Sequence, residues 1–244
     1  MTLSSPRLLF DPNSETLSVV TDIDSDGDFE AIRPSPLQHR IQIVNELENG
    51  AFELTELATP PLFSPIFVDA ADLDGDGLLD LAVLTDFGQS LTLLFQTSDG
   101  AFDSTRPGVT FKDHATQVIS EDLDADGDLD LLTVHPGAGH VDVYLQSSPG
   151  TFASTPITLE IAVEVALVRD VDGDGDQDIT AFALGELTHA LQISPSNFRV
   201  TAREALPNYN VDAIAGGDLD GDNDSDILVI ETTPSRLLRV TNPR

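Results

Sequence analysis

Apolar positions fall along this chain in short runs, many alternating with polar residues in the period of two that marks a half-buried strand. Asp, Gly, Pro and Asn bound the runs, as residues that end strands do. One cycle consists of an apolar run (81–85, 131–134, 179–183 or 227–230), a turn and an alternating run such as 91–95 or 141–145. A Gly-x-Phe turn follows (Gly50 and Phe52, Gly100 and Phe102, Gly150 and Phe152), then a short strand near 156–159. Another apolar run, such as 163–168, leads into an acidic loop, so each cycle predicts four strands.

The acidic loops set the period. DIDSDGDFE (22–30), DLDGDGLLD (72–80), DLDADGDLD (122–130), DVDGDGDQD (170–178) and DLDGDNDSD (218–226) begin 50, 50, 48 and 48 residues apart. Running from Asp218 off the end and back in from Met1 to Asp22 spans 48 residues again, so the repeat closes in register on itself. A ring with one split unit requires that match; a linear stack does not. Four-stranded units repeated radially are propeller blades, which leave only short protected edges.

The expected fold is therefore all-β: one domain over 1–244, a five-bladed β-propeller of four-stranded antiparallel blades. Repeats start near residues 17, 64, 115, 163 and 211. Residues 1–13 complete the last blade, with the strand at 7–10 joining it and closing the ring.

Each loop follows Asp-x-Asp-x-Asp-Gly-x-x-Asp. Carboxylates at positions 1, 3 and 5 converge when the loop curls, and Gly at position 6 supplies the left-handed turn. The expected metal ligands are Asp22, Asp24, Asp26, Asp28 and Glu30; Asp72, Asp74, Asp76, Leu78 and Asp80; Asp122, Asp124, Asp126, Asp128 and Asp130. The fourth loop adds Asp170, Asp172, Asp174, Asp176 and Asp178, and the fifth Asp218, Asp220, Asp222, Asp224 and Asp226. Position 7 is assigned a backbone carbonyl because its side chain varies. Up to five Ca²⁺ ions are expected, since an all-oxygen set in tolerant geometry suits calcium better than magnesium. An EF-hand is excluded: position 12 is Arg33, Val83, Thr133, Ala181 and Val229, with no acid. Glu30 at position 9 and Asn223 at position 6 depart from the pattern. Ile23, Leu73, Leu123, Val171 and Leu219 at position 2 should pin the loops to the core.

The acidic loop, the strand before it, the Leu-Ala-Val-like run after it and the Gly-x-Phe turn together resemble the FG-GAP or VCBS repeats of integrin α-subunit propellers and many secreted bacterial proteins. The resemblance implies a propeller with one calcium per loop, between the first and second strands of each blade. Integrin propellers have seven blades, so their ligand contacts are not carried over. The family spans adhesion modules, lectins and accessory domains of polysaccharide lyases, so it implies the scaffold more than the task.

Composition narrows the partners. Against 43 acidic residues stand 11 basic ones, a formal charge of −32, and Lys112 is the only lysine. Such a surface repels phosphate backbones and excludes nucleic acid. The five loops hold 24 of the acids, and outside them the net charge is only −8. With no cysteine there is no disulfide, thiolate metal site or Cys nucleophile. No apolar run reaches a membrane span, so membrane insertion is not expected. The first residues lack signal-peptide character, so an exported precursor would have lost its signal before this sequence begins. Calcium dependence points outside the cell or to its surface, and the molecule is expected to be monomeric.

Residues six places before each first Asp are Thr16, Ile66, Thr116, Glu164 and Asp212; eight places before they are Ser14, Ser64, His114, Ala162 and Asn210. Thr16, His114, Thr116, Glu164, Asn210 and Asp212 are the expected ligand-binding residues at a channel mouth. Glu164 and Asp212 form a weak catalytic pair of the glycosidase kind. His135 and His140 flank Pro-Gly-Ala-Gly and read as turn residues, and no metal constellation is expected outside the Asp loops. The leading function is a binding or adhesion module for an extracellular protein or glycan. A glycosidase or lyase and a pure spacer are the alternatives. The absence of Trp weakens a lectin.

Overall fold

The computed structural model describes residues 19–46, 52–57, 64–201, 203–205, 211–217, 226–232 and 235–240. Among them there is no α-helix, and the helical content is one short 3-10 turn, Asp86–Gly88. No helix in this part of the chain is long and apolar enough to cross a membrane.

Antiparallel sheets follow one another along the chain. The first orders Val19–Thr21, Glu30–Ser35, Arg40–Glu46 and Phe52–Glu56. In the second, Phe67–Ala71, Asp80–Thr85 and Ser90–Gln96 are joined by Phe102–Asp103 and Val109–Thr110, both on Ser90–Gln96. The third has Gln117–Glu121, Asp130–His135, His140–Tyr144 and Ile157–Leu159, with the hairpin Gln146–Ser148 and Thr151–Phe152 beside it. Val165–Arg169, Asp178–Ala183, Glu186–Ser194 and Asn197–Val200 form the fourth, Glu204–Ala205 also pairing with Glu186–Ser194. Val211–Gly217, Asp226–Thr232 and Ser235–Val240 form the last.

The outer edge differs from the expected single fourth strand. In the second and fourth sheets the third strand carries two short outer partners. In the third sheet the Gly-x-Phe turn makes its own small hairpin. Register shifts at Gln146/Ser148 and Gln192/Ser194 divide the edge. Such bulges add twist, and a twisted, broken edge resists pairing with another chain. The expected closing strand at 7–10 and the start of the first repeat lie outside the described residues.

The sheets pack face to face in chain order. Ile32, Ile41 and Ile43 of the first share a core with Val68, Val83 and Leu94 of the second. Leu84, Leu91 and Leu93 pack with Val118, Leu131 and Tyr144, and Leu132, Val134 and Val143 with Ala166, Ile179 and Ala181. The second strands Asp80–Thr85, Asp130–His135 and Asp178–Ala183 are buried at every position, which is why they lose the alternation of a one-sided strand.

Polar contacts tie neighbours together. Gln117 Nε2 donates to the Ala166 carbonyl at 3.1 Å while its Oε1 accepts the Ala166 N–H at 3.2 Å. Ser120 N–H donates to Asp69 at 2.8 Å. Gln96 Nε2 reaches the Ile23 carbonyl at 3.0 Å, 73 residues away in sequence.

Candidate metal centres

The four described acidic loops share one geometry, dictated by position 1. Asp22 Oδ1 accepts the Asp26 N–H at 3.0 Å and its Oδ2 the Gly27 N–H at 3.0 Å. Asp72, Asp122 and Asp170 take the N–H of Gly77, Gly127 and Gly175 in the same way, at 2.9, 3.0 and 3.0 Å. The carboxylate thus draws the backbone into a ring around itself. Position 6 has φ of 90 to 98° in all four, outside what a side-chain-bearing residue adopts readily. Position 4 is left-handed too, at Ser25 (60°), Gly75 (74°), Ala125 (61°) and Gly173 (71°), a requirement the loop pattern did not reveal.

Position 9 anchors the loop from the far side. Asp80 Oδ2 accepts the Leu73 N–H at 3.0 Å and its Oδ1 the Gln96 N–H at 2.7 Å. Asp130 does the same with Leu123 and Gln146, and Asp178 with Val171 and Gln192, all at 2.7 to 3.0 Å. Glu30 reaches the Ile23 N–H at 3.0 Å with its longer side chain. Gln96, Gln146 and Gln192 therefore belong to the site, although they lie 14 to 16 residues beyond the carboxylate they serve. Ile23, Leu73, Leu123 and Val171 are buried beneath the loops.

Carboxylate oxygens of positions 1, 3 and 9 lie within 4.8 Å of one another in each described loop: Asp22, Asp24 and Glu30; Asp72, Asp74 and Asp80; Asp122, Asp124 and Asp130; Asp170, Asp172 and Asp178. Position 5 turns to the loop itself, its Oδ1 accepting the N–H of position 7 at 2.9 to 3.0 Å. Burial pushes Asp80 and Asp130 up to about 6, against two backbone N–H groups that favour the ionised form, and the carboxylates at positions 3 and 5 push the same way. Burial likewise raises Glu30, Asp124, Asp172 and Asp178.

These residues fit a cation. Oδ1 of Asp74 and Oδ1 of Asp124 are buried without a hydrogen-bond partner. A buried acceptor left unpaired costs about 1–3 kcal/mol, and a metal ion would satisfy it while relieving the repulsion within each cluster. The donors are all oxygen, the set preferred by hard cations. The fifth loop lies outside the described residues apart from Asp226, which opens its strand.

The expected channel-mouth residues are placed only in part. Ile66, Thr116 and Glu164 donate equivalent backbone hydrogen bonds to the carbonyls of Leu84, Val134 and Phe182, at 2.8, 2.9 and 2.7 Å, so they stand at one level in successive sheets. His114, Thr116 and Glu164 are exposed. Thr16 and Asn210 and the side chain of Asp212 lie outside the described residues. A cavity of about 600 Å³ lies elsewhere, lined in part by Phe111, His135, Asp142 and Tyr144 and by none of the expected ligand residues. The expectation of no further metal constellation is corrected: His135, His140 and Asp142 offer ligand atoms within 4.8 Å of one another. Their signal was the cross-strand register, which places His135 opposite His140.

Comparison with solved structures gives the class. The chain is similar to an Agrocybe aegerita lectin that recognises non-reducing terminal N-acetylglucosamine, at 16% identity and TM-score 0.60, over 93% of this chain and 66% of that one. It is similar to BBS1N, solved in complex with ARL6DN, at 14% and 0.61, over 96% of this chain and 66% of that one. The V. cholerae biofilm matrix protein Bap1 matches at 17% and 0.50, over 93% of this chain and 38% of that one. The chain thus spans 66% of the length of the first two, and at such identities the likeness is one of fold. The fold is all-β and propeller-like. The FG-GAP-like repeat matches residues 72–133 and 122–181, which contain three of the acidic loops, so the chain carries FG-GAP-like repeats. No curated protein matches its sequence.

Proposed function

We propose that the chain is a calcium-stabilised five-bladed propeller that serves as a binding or adhesion module for an extracellular protein or glycan. The observation that carries the calcium assignment is the repeated cluster of positions 1, 3 and 9, with the unpaired buried oxygens of Asp74 and Asp124. Calcium bound there would supply fixed positive charge that locks each loop to its strands, which is a structural role. Modules of this kind outside the cell bind calcium at about 10⁻⁴ to 10⁻³ M, which suits an exported protein.

In this reading the ring is closed and residues 1–13 complete its last blade. The fold is one that a lectin and a biofilm matrix protein also use, which agrees with a binding role.

The melting temperature should rise with calcium and fall on chelation, since a ligand held only by the native state at 100 times its Kd adds about 2.7 kcal/mol per site. A melt indifferent to both would overturn the calcium assignment. Screening the calcium-loaded protein against glycans and extracellular proteins tests the binding role; retention of no ligand, or polysaccharide cleavage lost in Glu164→Gln, would replace it.

A further inference from the structure

The cluster formed by His135, His140 and Asp142 is unlike the acidic loops in both place and chemistry. His135 and His140 end adjacent strands of the third sheet and stand directly opposite each other. Asp142, two residues beyond His140, points to the same face, opposite Thr133. Equivalent hairpins pair Ser35 with Arg40, Thr85 with Ser90, and Ala183 with Glu186, so this triad is not a property of the repeat.

The two rings stack with centroids 4.7 Å apart. Nε2 of His135 lies 3.7 Å and Nε2 of His140 3.6 Å from Asp142 Oδ2. These separations are long for hydrogen bonds. They match the spacing of ligand atoms around a tetrahedral ion, about 3.4 Å for bonds of about 2.1 Å.

Neighbouring groups orient the donors. His135 Nδ1 lies 3.1 Å from the Asp113 carbonyl, which accepts only from a protonated nitrogen; in the neutral ring the lone pair is then on Nε2. Phe111 meets the His135 ring edge-on at 5.2 Å and fixes its plane. Thr158 Oγ1 donates to Asp142 Oδ1 at 2.6 Å, leaving Oδ2 toward the rings. A backbone carbonyl behind one imidazole and a hydroxyl behind the carboxylate are the kind of outer support that metal-binding residues receive. Thr133 Oγ1 lies 2.9 Å from His135 Nε2 and donates to that lone pair, so an ion bound there has to displace this hydroxyl, with Thr133 moving to another rotamer.

We infer that His135, His140 and Asp142 form a site for a divalent transition metal of the zinc class, separate from the calcium loops. Two imidazoles and one carboxylate suit zinc far better than calcium, which prefers oxygen. Three protein ligands leave a fourth position open, and the same three side chains line the 600 Å³ cavity.

Zinc titrated calorimetrically into the protein in excess calcium, which keeps the acidic loops loaded, tests the site. One equivalent should bind in the micromolar range or tighter, and Co²⁺ in its place should show the intense visible absorption of a four-coordinate ion. His140→Ala and Asp142→Asn should each weaken zinc at least tenfold while the calcium-dependent rise in melting temperature stays unchanged. His140→Gln, closer in size, covers the case in which His140→Ala fails to fold. No saturable zinc binding, or equal affinity in the wild type and the folded variants, would overturn the proposal and leave the cluster a His–Asp contact within the sheet.

Discussion

The Arg106 guanidinium lies 2.7 Å from Asp74 Oδ2, so a positive side chain already sits on a carboxylate of the second acidic cluster. The same guanidinium covers the Phe95 ring at 4.0 Å. With Arg106 38% exposed, the ion pair and the ring contact together are worth about 1 kcal/mol. A fixed charge there repels an incoming cation. Arg106→Gln should lower the melting temperature in chelator yet enlarge the calcium-induced rise, with several-fold tighter binding at one site. A rise no larger than the wild type's would show that Arg106 assists the loop instead.

Asp130 accepts two backbone N–H groups, one on each oxygen, at 2.9 and 2.7 Å. In Asp130→Asn the amide NH₂ must face one of those donors, leaving a buried N–H unpaired at a cost of about 1–3 kcal/mol. The variant should be less stable by that amount in denaturant titrations even in chelator, where no metal contributes. Stability equal to wild type in chelator would mean that position 9 serves the metal alone.

Gly127 has a φ of 96° and nothing within 4 Å of where a Cβ would stand. Gly127→Ala is therefore a test of backbone conformation without a steric clash. It should cost about 1–2 kcal/mol and weaken calcium at the third loop, read by the shift in the calcium-dependent melt. An unchanged melt would show that the loop tolerates another turn.

His189 is half-buried, with Nδ1 2.9 Å from Thr180 Oγ1, and burial lowers its pKa despite the attraction of Glu204. An unfolded chain protonates histidine near about pH 6.5, so below that pH the unfolded state holds the extra proton. The stability contributed by neutral His189 is complete above that value and is lost as pH falls through the lower folded pKa. Between pH 7.5 and 5.5 the wild type should lose more of its melting temperature than His189→Gln, and parallel losses would exclude this residue as the cause.

What could be read from the chain was what is local. Positions 1, 6 and 9 declare themselves because a curled loop needs a carboxylate to gather amides, a residue free to turn left-handed and an anchor to the next strand. Position 4 makes a similar demand, but Ser25 and Ala125 hide it, and Gly75, Gly173 and Gly221 are its trace in the sequence. Gln96, Gln146 and Gln192 were missed because their role is played by a backbone N–H brought back by a hairpin, and any residue but Pro carries one. The broken outer strands depend on bulges, and the His135–His140 pair on hairpin register, neither of which periodicity specifies.

Gln96 gives the first two loops a shared frame. Its side chain holds the Ile23 carbonyl, its backbone N–H holds Asp80, and Ile23 and Leu73 are bound in turn by Glu30 and Asp80. In the third sheet the Gln146 side chain turns instead to Leu129 of its own loop. Ordering either of the first two loops therefore prepares the other, whereas the third has no such link through its glutamine. Ion loading of the first pair should be cooperative, with a Hill coefficient above one.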